Sequence, residues 1–243
     1  MNFLAIEHCG KQFAGLKALS DVSFSVDRGE VIGLIGPNGS GKTTLFNVIS
    51  GFYSPENGNI KFDGVDITGL KPHQISRKGI SRTFQIPKPF GNLAVLHNVL
   101  VGTRIYSHDP EEAKRKALEL LSFLGLKSKA DFLASNLNVA DRKKLEIAKA
   151  LSTRPKLLLL DEVMGGLTPS EIAETIELIK KMNEDGLTII VIEHIMKAIM
   201  SISKRVVVLN YGEKIAEGLP EQVASDPSVI KAYLGDEYGL TRN

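Results

Sequence analysis

From Leu4 to Phe62 the strand signals dominate, with hydrophobic positions alternating with polar ones where one face of a sheet is buried. Val22, Phe24 and Val26 make one such run. Ile60 and Phe62 repeat it, closed by the hairpin-turn dipeptide Asp63-Gly64. Between them, Glu30 to Ile35 is a short apolar run suited to a buried strand, and Thr44 to Ile49 reads as a helix that stops at Gly51. Residues 65 to 110 carry several Pro and Gly and no long period, which predicts short helices and loops. Glu111 to Leu124 is an amphipathic helix with Ala113, Ala117, Leu120, Leu121 and Leu124 on one side. A further helix is expected over Arg142 to Leu151, with Leu145, Ala148 and Leu151 inward and Asp141 placed to cap it.

Past Pro155, strand and helix alternate. Lys156 to Leu160 is a continuous apolar strand ending in Asp161-Glu162. Thr168-Pro169-Ser170-Glu171 is a capping box with proline at the first helical position, and Ile172, Ile176, Ile179 and Met182 form the buried face of the helix it starts. Thr188 to Ile192 and Arg205 to Leu209 are further strands, with His194 just after the first. Such alternation implies an α/β fold, a parallel sheet with helices on both faces. The run from 65 to 152 is mostly helical and inserted into that fold.

Composition narrows the class. At 243 residues the chain is ample for a real core, and 30 basic against 28 acidic side chains leave a formal charge of +2. Bulk charge therefore gives no reason to expect a nucleic acid partner. The single Cys9 rules out an internal disulfide and fits a reducing compartment. No stretch has the regions of a signal peptide, and the longest apolar runs are far short of a membrane span. The expected location is the cytosol, or a membrane reached through a partner.

The chemistry begins at Gly36-Pro37-Asn38-Gly39-Ser40-Gly41-Lys42-Thr43-Thr44, which fits the phosphate-loop pattern of glycine, four residues and Gly-Lys-Ser/Thr. A strand precedes it and a helix follows, as the motif requires. Glycines let the backbone fold around phosphate oxygens, and the helix N-terminus adds N–H donors and positive potential. Lys42 is placed to reach the terminal phosphates, and the Thr43 hydroxyl to ligate Mg²⁺. A nucleoside triphosphate is the expected ligand. Asp161 and Glu162 are delivered by their strand to the sheet edge where this loop lies. Asp161 can hold Mg²⁺ through water, and Glu162 can orient and polarise the attacking water. His194 can reach a γ-phosphate, although a lone histidine there is more often structural. On local sequence Phe13, beside a turn in Lys11 to Gly15, is equally an ordinary core ring.

Taken together, Gly36 to Thr44, Gln85, Leu157 to Glu162, the turn Gly165-Gly166-Leu167-Thr168 and His194 resemble the ATP-binding subunits of ABC transporters, over essentially the whole chain. The resemblance implies a P-loop NTPase cassette with a RecA-like parallel sheet core, an antiparallel β subdomain and an inserted helical subdomain. Residues 1–64 would be the β-rich part with the phosphate loop and 65–85 a connecting segment. The helical subdomain would take 86–152, and the rest of the core 153–243. It also implies that Phe13 stacks on adenine, that Gln85 contacts Mg²⁺ and the lytic water, and that His194 clamps the γ-phosphate. Gly79 to Gln85 and the tail Asp226 to Gly235 look like those of branched-chain amino-acid importers. Urea-type importers and a lipopolysaccharide exporter share parts of that tail.

One stretch departs from the family. Its signature, Leu-Ser-Gly-Gly-Gln, falls here on Leu137-Asn138-Val139-Ala140-Asp141. Val139 and Ala140 add Cβ atoms where the backbone should approach a γ-phosphate held by the opposite subunit, and Asp141 adds a carboxylate. Val163 also replaces the proline that many relatives carry after the catalytic glutamate. The expected assembly is a second ATPase subunit, two permease chains and, indirectly, an extracytoplasmic solute-binding protein. Two other classes compete. Soluble ABC ATPases of ribosomes or repair usually join two cassettes or insert long coiled coils, and neither pattern occurs here. A regulatory module with little hydrolysis is favoured only by the altered signature, against intact Glu162 and His194.

Overall fold

The computed structural model describes residues 2–234. The chain runs β1 (Leu4–Phe13), β2 (Leu16–Val26), β3 (Val31–Ile35), α1 (Lys42–Ile49), β4 (Asn57–Phe62), β5 (Val65–Asp66), α2 (Pro72–Lys78) and β6 (Ile80–Arg82). It continues through α3 (Val95–Thr103), α4 (Pro110–Phe123), α5 (Val139–Ser152), β7 (Leu157–Asp161), α6 (Pro169–Glu184), β8 (Thr188–Ile192) and α7 (Met196–Ile202). β9 (Arg205–Asn210), β10 (Glu213–Gly218), α8 (Pro220–Ser225) and α9 (Pro227–Leu234) follow. Gly235, the end of the family-like tail, lies outside the described residues.

The strands form two sheets, β2-β1-β4-β5 and β10-β9-β3-β8-β7-β6. The first is antiparallel. In the second, β9, β3, β8, β7 and β6 are parallel and β10 is an antiparallel edge. The continuous apolar runs become central strands because both of their faces are covered. Val31, Ile35, Leu158, Leu160, Ile189 and Val191 pack with Leu145 of α5, Ile179 and Met182 of α6 and Ile199 of α7. On the other face Ile32, Leu34, Leu159, Ile190 and Ile192 pack with Leu45 and Phe46 of α1 and with Leu4, Ile6 and Val22 of the antiparallel sheet. That second face is therefore shared between helix and sheet. A sheet face accepts either, and strand–helix alternation along the chain does not distinguish them.

Capping corrects one expectation. α5 begins at Val139, not Arg142, and its cap is Asn138, whose side chain accepts the Asp141 N–H at 2.8 Å. Asp141 stands inside the first turn, 8% exposed, with its carboxylate paired to Lys129. An extended residue is needed at the cap so that its side chain can fold back on the first turn, and Asn138 is that residue. At α6 the capping box forms as the sequence indicates: Thr168 accepts from the Glu171 N–H and Glu171 from the Thr168 N–H at 2.8 Å.

Candidate functional site

At the end of β3 the chain must reverse so that α1 can start. Gly36 (φ +148°) and Gly41 (φ +104°) make this possible. A Cβ on Gly36 would stand 2.0 Å from the Leu209 carbonyl oxygen, and one on Gly41 2.6 Å from that of Ala18. Both positions need glycine for backbone angle and for space. α1 opens with no side-chain cap, so no capping side chain occupies its first amides. Lys42 Nζ donates to the carbonyl oxygens of Gly36 at 2.8 Å and Pro37 at 2.9 Å. Burial pulls the Lys42 ammonium below its ordinary pKa, while Glu162 and Asp161 push it back up. The Gly36 N–H donates to Tyr233 Oη at 2.8 Å, tying α9 to the first residue of the loop.

β7 brings two carboxylates to the same edge. Asp161 is 1% exposed, and its Oδ2 pairs with Arg82 Nη2 at 3.1 Å. Burial raises its carboxyl pKa, and Arg82 opposes that shift. Asp161 Oδ1 has no hydrogen-bond partner among the described residues. Asp161 thus offers a buried carboxylate oxygen without a partner, and Thr43 and Gln85 line the cleft that Glu162, the next residue, also borders; carboxylate, hydroxyl and amide oxygens are the hard donors that fit Mg²⁺. Glu162 follows at φ +49°, a left-handed backbone that is uncommon outside glycine. That turn aims its carboxylate between two groups. Gln85 Nε2 donates to Oε2 at 2.6 Å, and His194 Nε2 lies 2.7 Å from Oε1.

A cleft of about 530 Å³ joins these parts, lined by Asn38 through Thr44, Gln85, Glu162, Leu16, Lys17, Ala18 and Tyr211. Gly36, Pro37, Asp161 and His194 lie outside its immediate wall. Phe13 does too: its ring packs edge-on against Tyr53, 5.0 Å between centroids. Leu16 and Tyr211 are exposed apolar side chains beside the phosphate loop. Sequence reasoning missed them because Leu16 opens β2 just after a turn and Tyr211 sits in one, both outside any motif. It missed Tyr233, on α9, for a different reason: 197 residues separate it from Gly36.

The family signature sits at the start of α5. Val139 is 58% exposed and Ala140 is buried. The expected free negative charge at Asp141 is corrected: Lys129 neutralises it. What distinguishes this loop is the extra bulk of Val139 and Ala140.

A family model described as ABC transporter matches residues 19–165, and one described as branched-chain amino acid ATP-binding cassette transporter matches residues 213–239. The chain is 40% identical over 241 residues to the high-affinity branched-chain amino acid transport ATP-binding protein BraF of Pseudomonas aeruginosa, covering 93% of this chain and 94% of that one. A nucleotide-free ATP-binding cassette from an ABC transporter superposes with a TM-score of 0.89 at 34% identity, over 97% of this chain and 100% of that one. A dimeric ATP-binding cassette bound to ADP and phosphate superposes with a TM-score of 0.82 at 25% identity, over 89% and 98%.

Proposed function

Because the chain belongs to the ATP-binding subunits of ABC transporters, we propose that it binds ATP along Gly36 to Thr44, hydrolyses it through Glu162, and energises a branched-chain amino-acid importer. The observation that carries the catalytic reading is the meeting of Gln85 and His194 on the Glu162 carboxylate at 2.6 and 2.7 Å.

In this reading the loop amides and Lys42 hold the triphosphate, with Lys42 exchanging loop carbonyls for phosphate oxygens. Glu162 accepts a proton from the water that attacks the γ-phosphorus. Gln85 and His194 fix the direction of its carboxylate, and His194 also reaches the γ-phosphate. Thr43, Asp161 and Gln85 would hold Mg²⁺, which when bound neutralises charge on the phosphates. Phe13 supplies the adenine contact by swinging from Tyr53, and Leu16 and Tyr211 supply apolar surface next to it.

The relative's name, a transport ATP-binding protein, and the dimeric neighbour support an assembly with partner chains. A second cassette closes face-to-face on this one, and two permease chains carry the solute. No described helix is long and apolar enough to cross a membrane. The chain then sits at the cytoplasmic face through its permeases. The groove between α5 and the core, lined by Phe52, Arg82, Phe84 and Lys149, suits an inserted permease helix. Phe90 stands at its rim with Lys149 Nζ 5.8 Å from its ring. Asn98 holds that segment by accepting the Phe90 N–H at 2.8 Å.

Reconstitution with the two permeases and the solute-binding protein tests the reading. Leucine uptake that requires ATP and is competed by isoleucine and valine is expected. Uptake of urea, or outward lipid movement, would replace the amino-acid assignment with one of the other two. A second expectation concerns the signature. Val139→Gly with Ala140→Gly should raise turnover at the partner's phosphate loop roughly tenfold, the equivalent of regaining one charge-assisted hydrogen bond of about 1.5 kcal/mol. Unchanged turnover there would mean that the α5 backbone already reaches the phosphate.

A further inference from the structure

Two buried charges outside the motifs grip the turn that carries Glu162. Lys143, on α5 and 8% exposed, donates from Nζ to the Glu162 carbonyl oxygen at 2.8 Å. Glu193, 2% exposed at the end of β8, accepts the Met164 N–H on Oε1 at 2.7 Å. The turn makes one sheet-side contact of its own, from the Glu162 N–H to the Ile192 carbonyl at 2.9 Å. Its positive φ at Glu162 is a conformation that surrounding contacts must impose on a non-glycine residue. An ammonium on the carbonyl of Glu162 and a carboxylate on the amide two residues later supply two such contacts.

We propose that Lys143 and Glu193 are positioning residues for the hydrolytic reaction, clamping the Glu162 turn so that the Glu162 carboxylate stays between Gln85 and His194. The two opposite charges attract through space, and burial works against each. Glu193 immediately precedes His194, so the same carboxylate steadies the turn below Glu162 and the backbone that carries the histidine. Lys143 lies one helical turn and a residue beyond the Asn138 cap. The clamp therefore also ties the loop facing the partner's nucleotide to this chain's own catalytic turn. A displacement of about 1 Å of a catalytic group costs on the order of a hundredfold in rate, so loss of the clamp should act on kcat.

This inference rests on Glu162 being the catalytic carboxylate, so Glu162→Gln is measured beside it. The full chain would be compared as Lys143→Met, Glu193→Gln, the double variant and Lys143→Arg. The measurements are ATP affinity, single-turnover hydrolysis and thermal unfolding. The expected result is a kcat at least about tenfold lower in the double variant, with ATP affinity changed by less than about twofold, and partial recovery in Lys143→Arg. The double variant leaves no unpaired buried charge, so it separates positioning from folding if Lys143→Met alone fails to fold. Normal kcat in the double variant would overturn the proposal, showing that each charge only balances the other. A loss of ATP affinity equal to the loss of rate would overturn it as well. Full hydrolysis by Glu162→Gln would remove the catalytic reading and this proposal together. An inactive Glu162→Gln beside fully active clamp variants would remove this proposal alone.

Discussion

Glu162→Gln is expected to bind ATP as tightly as the unaltered protein and to hydrolyse it roughly 10²–10⁴-fold more slowly, the range for losing a general base. The amide has the shape of the carboxylate and keeps the backbone turn at φ +49° under the same constraints. By rotation it can still offer an oxygen to Gln85 Nε2 and an N–H to His194, so the three side chains stay together. It cannot take a proton from water. In the proposed reading binding is unaffected, because the loop amides and Lys42 would hold the phosphates and Lys42 donates to Gly36 and Pro37 rather than to Glu162. Nucleotide titration beside quenched-flow phosphate release separates the two steps. Phosphate release within about twofold of the unaltered protein would take Glu162 out of the chemistry and leave a binding-only reading.

The residues that sequence identified and those it missed differ in how far apart their partners lie along the chain. The phosphate loop is legible because its glycines, lysine and threonine are contiguous and answer a local demand, a reversal between strand and helix around phosphate oxygens. Asp161 and Glu162 stand out in the sequence because their apolar strand follows a phosphate loop; without that loop, an acidic pair ending a strand is usually a solvated turn. The Thr188 to Ile192 strand falls where the pattern placed it, since both its faces are buried and no alternation competes. The cap of α5 was misread because Asn138 and Asp141 are both good capping residues, and only backbone geometry decides between them. Lys143, Glu193, Arg82 and Tyr233 were illegible as site residues for a different reason. A lysine in an amphipathic helix or a glutamate after a strand normally faces water, and their burial depends on elements brought together only by the fold.

Lys42→Ala is expected to weaken ATP binding by roughly 10²–10⁴-fold. The side chain is 6% exposed, and its ammonium already makes two hydrogen bonds to loop carbonyls, at 2.8 and 2.9 Å. Moving onto phosphate oxygens exchanges these neutral acceptors for charged ones, each worth about 1.5–3 kcal/mol. Two such bonds amount to roughly 3–6 kcal/mol, which is the stated range in affinity. Burial disfavours the ammonium, and Glu162 and Asp161 favour it. Removing it leaves those two carboxylates facing an anionic ligand without a cation between, so the loss falls on binding before chemistry. Folding should survive, since the vacated carbonyls open onto the cleft where water can replace Nζ. Lys42→Arg is the control for charge alone. Its planar fork does not match a loop drawn around a point charge, so it should recover only a fraction of the lost affinity. Equilibrium binding of ATP with and without added magnesium, together with thermal unfolding, checks the result. An affinity within about threefold of the unaltered protein at unchanged melting temperature would place the triphosphate somewhere other than this loop.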